Sequence, residues 1–207
     1  MPSDQQESRR DPDEELLRAA RAAPEGDLRA FEELVVRYRN RIVTNCRHLT
    51  RDEGHAEDLS QEVFVKAFFN LPKFEERSSF RHWLNRIKVN HCLNHIKRSA
   101  RRQMVAIDEH SAEAFEELQQ QPRAARRVER MEARDRIDAV LEEMPETLRV
   151  PLVMRDMDEL SYQEIADALK LGLSAVKMRI KRGREYFREL YAEMESVPAA
   201  GSESIDG

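Results

Sequence analysis

The chain has 207 residues, 36% of them charged and 40% hydrophobic, and its 40 Asp and Glu outnumber its 35 Lys and Arg to give a formal charge of −5. This composition fits a soluble protein of one domain or two small ones, and no run approaches the roughly 18 apolar residues of a membrane span. The polar start, "MPSDQQESRRDPDEE", lacks the apolar core of a signal peptide, so the expected compartment is the cytoplasm, and any attraction to nucleic acid must come from local charge segregation.

Six glycines in the whole chain, no alternating β-branched runs and apolar spacings of three and four predict an all-α fold. Phe31, Leu34, Val35, Ile42, Val43, Cys46 and Leu49 recur at helical intervals from Leu28 onward, with Asp27 placed to cap the start. A second helix is predicted from His55 to Leu71, burying Leu59, Val63, Phe64 and Ala67 and leaving Asp58, Gln61 and Glu62 on an exposed edge. "PKFEERSS" breaks the pattern, and a third helix is expected from about Phe80 to Lys97, packed through Trp83, Leu84 and Ile87. Cys46 and Cys92 form no CxxC pair, which predicts reduced thiols rather than a disulfide scaffold or a zinc site.

Leu84 to Arg102 carries Arg86, Lys88, Lys97, Arg98, Arg101 and Arg102 with no acid. Phe74, Phe80 and Trp83 flank this basic stretch, and Asn90 and Asn94 stand one turn apart on it. Aromatic faces stack on unpaired bases, cations follow the backbone and amides bond base edges, a combination suited to single-stranded DNA; for Phe80 and Trp83 the competing reading is core packing. His91 and His95 have the i, i+4 spacing of a zinc-binding helix, but their cationic surroundings oppose a dication. No cofactor is expected, and nothing in the motifs argues for an enzyme.

From Gln103 to Pro122 the acids Asp108, Glu109, Glu113, Glu116 and Glu117 face no Lys or Arg, the composition of an exposed linker. Apolar periodicity resumes at Ile137, Val140, Leu141 and Met144, stops at Pro145 and continues through Leu148, Leu152 and Val153, with Pro151 suggesting a kink or boundary. In "LSYQEIADALK", Ser161 and Glu164 have the spacing of a capping box, and Leu160 and Ile165 that of a hydrophobic staple. Gly172 would permit a sharp turn and Ser174 would cap the next helix, giving a helix-turn-helix. On a helical wheel Val176, Ile180, Phe187 and Leu190 form a stripe for burial, and Lys177, Lys181, Arg184 and Arg188 share an adjacent face. One buried edge and one cationic edge suit a major groove.

"LSYQEIADAL…LSAVKMRIKRGREYF" resembles the C-terminal promoter-binding region of bacterial sigma factors, in which the second helix reads the −35 element. "DLSQEVFVKAFFNLPKFEERSSFRHWLNRIKVNHCLNHIKR" is similar to the region that binds core polymerase and the −10 element in sigma factors of the extracytoplasmic-function (ECF) type. The resemblance implies a sigma factor that binds core RNA polymerase, directs it to promoter DNA and helps to melt it. By it, Asp58, Gln61 and Glu62 grip polymerase, and Phe74, Ser78, Phe80, Trp83, Arg86, Asn90 and Asn94 contact the −10 element. Lys73 to Ser79 is then the loop that receives a flipped base, with Glu75 and Glu76 facing either away or toward a base amine. Ser174, Lys177, Met178, Arg179, Lys181 and Arg182 are the implied −35 contacts. The implied organisation is a disordered N-terminus (1–11), a core- and −10-binding domain (12–100), an acidic linker (101–129), a −35-binding domain (130–192) and a flexible tail (193–207). The resemblance also permits an anti-sigma partner. The rival readings are an autonomous helix-turn-helix regulator and a metal-dependent hydrolase built on His91 and His95.

Overall fold

Most of the helices follow from a three-to-four-residue apolar spacing, and among the described residues there is no strand. The computed structural model describes residues 13–109 and 133–196, with side chains for 13–102 and 133–195. The helices are α1 (Glu14–Ala22), α2 (Arg29–Thr50), α3 (Ala56–Asn70), α4 (Phe80–Glu109), α5 (Ala133–Glu143), α6 (Glu146–Asp156), α7 (Tyr162–Leu169) and α8 (Leu173–Ser196). They form two compact units, one running through Asn94 and the other from His95.

In the first unit, the predicted core residues Leu59, Val63, Phe64 and Ala67 of α3 are all buried, against Phe31, Leu34, Ile42, Cys46 and Leu49 of α2. Each aliphatic side chain of this size stabilises the fold by ~1.5–3 kcal/mol when fully buried. Helix α1, which the apolar pattern from Leu28 onward does not include, adds Leu17 to this core. Asp13, just ahead of α1, is fully buried, and its carboxylate accepts from the Arg37 guanidinium and the Tyr38 hydroxyl of α2. Asp27 does not occupy the cap position of α2, which falls to Leu28; its carboxylate instead accepts from the Arg29 amide and guanidinium. The Arg29 hydrogen bond holds the Asp27 carboxyl down to about 2. Cys46 and Cys92 are free thiols, fully buried, with sulfurs 3.5 Å apart.

Ser79 caps α4, its hydroxyl accepting from the His82 amide at 3.2 Å. The helix does not stop near Lys97 but continues through Glu109. No Gly or Pro interrupts Phe80 to Glu109, and the Ala, Arg, Gln and Met residues after Lys97 favour helix despite the acids that follow. The rest of the predicted acidic linker, 110–129, lies outside the described residues, as do 1–12, 130–132 and 197–207.

In the second unit, Val140, Leu141 and Met144 pack with Val150, Leu152, Val153, Leu160, Ile165, Val176 and Ile180 in a separate core. Helix α6 runs through the buried Pro151 without ending there, so the missing amide hydrogen is tolerated inside the helix rather than marking a boundary. The capping box of α7 is present in both directions, and the staple residues Leu160 and Ile165 are buried. The turn after α7 is made by Lys170, not Gly172: Lys170 is left-handed (φ 55°), and the Leu171 amide donates to the Ala166 carbonyl at 3.0 Å. Helix α8 begins at Leu173, which puts Ser174 inside its first turn rather than at the cap. Gly183 is buried where α8 meets α6, and a Cβ there would stand 3.1 Å from the Leu148 carbonyl oxygen.

Candidate nucleic-acid interface

In the first unit, α3, the loop after it and α4 enclose an open cleft of about 390 Å³. Its walls carry the amides of Asn70, Asn90 and Asn94 and the cations Lys66 and Lys73, with Trp83, Ile87 and His91 completing the lining. Of the residues expected at the −10 element, Trp83, Asn90 and Asn94 meet here. Asn90 and Asn94 are exposed, and Trp83 is half-buried and lines the cleft.

Phe74 and Phe80 do not belong to the accessible set. They are 5% and 0% exposed, and their ring centres lie 4.9 and 5.7 Å from that of Trp83. They form an aromatic backing that fixes the indole, and neither presents a face on which a base could stack. Ser78 and Arg86 are exposed but do not line the cleft. Lys66 and Asn70 are absent from the sequence reading, and Ile87 and His91 figure in it only as a packing residue and as half of a possible zinc pair. Lys66 and Asn70 share the i, i+4 spacing that turns both toward α4, but nothing in the sequence of α3 alone shows which helix that side meets.

The two loop acids have partners within the fold. Glu76 pairs with Arg21 of α1, and Glu75 lies 2.9 Å from the Arg77 guanidinium. Both carboxylates are thereby partly neutralised beside a cleft that would receive phosphate. His91 is buried between Lys66, whose ammonium meets Nδ1, and Glu62, whose carboxylate lies 3.1 Å from Nε2. An ammonium at the imidazole nitrogen opposes a metal dication, and among the described residues no three His, Cys, Asp or Glu converge as a metal site.

Asp58, Gln61 and Glu62 are exposed along one edge of α3, opposite the buried Leu59, Val63 and Phe64. That edge continues into apolar surface, with Val65 55% and Phe69 73% exposed. An acidic margin beside exposed aromatic and aliphatic groups is suited to a protein partner, the charges setting orientation and the apolar groups supplying area.

The second unit presents a different surface. Ser174, Lys177, Met178, Lys181 and Arg182 are exposed on α8 and Arg179 is half-buried, while Val176 and Ile180 face the core as expected. Arg184 leaves the predicted cationic face: its Nε and Nη2 make a two-pronged contact to the Asp156 carboxylate of α6, at 2.9 and 2.5 Å. This hydrogen bonding makes the guanidinium hold its proton more tightly than usual. Arg188 donates to the Arg184 carbonyl at 3.1 Å. The outward cations are therefore concentrated at the start of α8, where a helix entering a groove makes its contacts.

Residues 34–102 match the family Sigma-70 region 2, and residues 134–186 match Sigma-70, region 4. The chain is 33% identical over 164 residues to the RNA polymerase sigma-H factor of Pseudomonas aeruginosa and 34% identical over 164 residues to the ECF RNA polymerase sigma-E factor of Escherichia coli strain K12. Each match covers 77% of this chain and 85% of the relative. Among solved structures, CnrH in complex with the cytosolic domain of CnrY has 25% identity and a TM-score of 0.52, covering 87% of this chain and 97% of that one. The sigma factor RpoE in complex with the anti-sigma factor NepR, from Bartonella quintana, has a TM-score of 0.56 at 19% identity, a likeness of fold, covering 78% of this chain and 96% of that one.

Proposed function

The chain belongs to the sigma-70 family, as a sigma factor of the ECF type that binds core RNA polymerase and directs it to promoters, and on that premise we propose how its surfaces divide the work. The cleft between α3 and α4 captures the opened −10 strand. Trp83 offers a stacking face, Asn70, Asn90 and Asn94 offer amide donors and acceptors to a base edge, and Lys66 and Lys73 hold the backbone. Extruding a base costs a few kcal/mol, which a shaped and cationic pocket can offset only for a base that fits.

The start of α8 holds duplex at the −35 element through Ser174, Lys177, Met178, Lys181 and Arg182, with Arg179 at the margin. The acidic edge of Asp58, Gln61 and Glu62, extended by Val65 and Phe69, docks on polymerase. Two moderate DNA contacts on one chain act with a combined affinity beyond either alone when both can engage. The first domain begins at 12 and its last helix, α4, reaches Glu109; the acidic segment from there to 129 joins it to the second domain at 130–192, and the protein works in the cytoplasm without catalysing a reaction of its own.

An anti-sigma factor is the further partner in this reading, since two solved structures of similar fold are complexes, one with the cytosolic domain of CnrY and one with the anti-sigma factor NepR. An autonomous regulator is not favoured, because such a protein has no use for the polymerase-binding region matched at residues 34–102. The observation that carries the proposal is the gathering of Trp83, three amides and two lysines in one cleft of a chain whose net charge is −5. Run-off transcription with core polymerase and this chain on a library of genomic fragments is expected to yield discrete start sites sharing −10 and −35 sequences; diffuse or absent initiation would overturn it.

A further inference from the structure

Arg21 lies outside residues 34–102, on a helix the region 2 match does not reach. Its side chain nevertheless ends in the loop between α3 and α4. Nη2 donates to the Phe74 carbonyl, Nη1 donates to the Glu76 carboxylate, and Nε reaches the Leu71 carbonyl at 3.4 Å. The guanidinium carbon also stands 5.4 Å from the centre of the Phe74 ring. A planar fork with five donors can hold two backbone carbonyls and a carboxylate at once, which a lysine ammonium cannot match in geometry.

The loop bears the mark of being held. Glu76 has φ 54°, in the left-handed region that L side chains disfavour and that persists where surroundings over-determine it. The arginine is itself anchored: Asp13 ties the start of α1 to Arg37 and Tyr38 of α2, and the Tyr38 ring meets Phe80 edge-on with centres 5.6 Å apart. Phe74, gripped at its carbonyl and its ring, backs Trp83 in the cleft wall, and Lys73 beside it lines the cleft.

We propose that Arg21 is a positioning residue for promoter opening: by clamping Phe74 and Glu76 it sets the shape of the cleft mouth, so that selectivity at the −10 element depends on a residue that touches no DNA. The clamp also draws the Glu76 carboxylate away from incoming phosphate. The inference rests on the cleft being the −10 site, and its test separates the two.

Open-complex formation is measured with core polymerase and the full chain on paired templates that differ at one −10 base, and discrimination is the ratio between them. Arg21→Ala is expected to cut this ratio about tenfold, the equivalent of one charge-assisted hydrogen bond. Glu76→Gly acts in the same direction but more weakly, because the Phe74 carbonyl is still held, and combining the two adds little to Arg21→Ala because both act on one contact. Arg18→Ala, which removes an exposed arginine paired with Glu14 on the same helix, leaves the ratio unchanged. A purely structural Arg21 would lower activity equally on both templates. A wild-type ratio of one would overturn the reading of the cleft itself, whereas wild-type discrimination retained in Arg21→Ala would overturn the clamp alone. Should circular dichroism show Arg21→Ala unfolded, Glu76→Gly, in an exposed loop, decides by the same criterion.

Discussion

Lys181 and Arg184 stand less than one turn apart on α8 and have different surroundings. Lys181 is exposed with Glu185 at a loose 3.9 Å, whereas Arg184 is committed to Asp156. Lys177→Ala with Lys181→Ala is therefore expected to reduce the slope of log affinity against log salt by about 1.8, as two fewer counterions are released. Arg184→Ala should leave that slope unchanged and cost the second unit up to ~1 kcal/mol, the ordinary worth of a partly exposed ion pair. Promoter binding by the holoenzyme across a salt series, with thermal melting alongside, checks both. At this scale the sequence discloses residue type and helical angle, but it cannot disclose which neighbouring helix claims a given side chain. Arg184 therefore shares the helical angle of the cationic face yet is claimed by Asp156, and Phe80, one turn before Trp83, is claimed by the core. The turn at Lys170 is hidden for a similar reason: a left-handed lysine has no local signature, whereas the nearby Gly172 does.

Helix α8 meets α6 at Gly183, the one interior position of α8 that lacks a side chain. The gap a Cβ would need is closed by the Leu148 carbonyl at 3.1 Å and Leu152 Cβ at 3.5 Å, the first of them backbone that cannot rotate away. Gly183→Val is expected to lower the stability of the second unit by ~1–3 kcal/mol through overpacking, more than the small gain in helix propensity returns. A lower melting midpoint by circular dichroism, with the first unit's helices unaffected, is the expected reading. The helices were legible where apolar spacing was dense, as in α2, α3 and the α7 capping box. They were not where the signal was short or mixed. Helix α1 has few large apolar residues, with Leu17 the one buried, and the end of α4 carries the acids that suggested a linker.

Among the described residues of the whole molecule, the acidic edge of α3 and the outward cations at the start of α8 belong to different units, so a chain of charge −5 can meet a protein with one and nucleic acid with the other. Asp58→Arg with Glu62→Arg is expected to weaken association with core polymerase about tenfold or more, as for a reversed interfacial charge pair, while far-UV circular dichroism stays helical; co-purification with core enzyme measures it. The proposed division of labour has a counterpart in the sequence because the two charge patterns lie in separate stretches of it. The cleft's full lining was not, since Lys66 and Asn70 reach it from a helix whose other edge faces elsewhere. Each unit also has a hydrophobic core drawn from its own residues. A genetic consequence of the proposed division follows: a lesion that melts only the second unit is expected to leave a polypeptide that still occupies polymerase without delivering it to a promoter. Alleles of this kind should behave as dominant poisons, whereas lesions in the polymerase-binding unit should be recessive nulls.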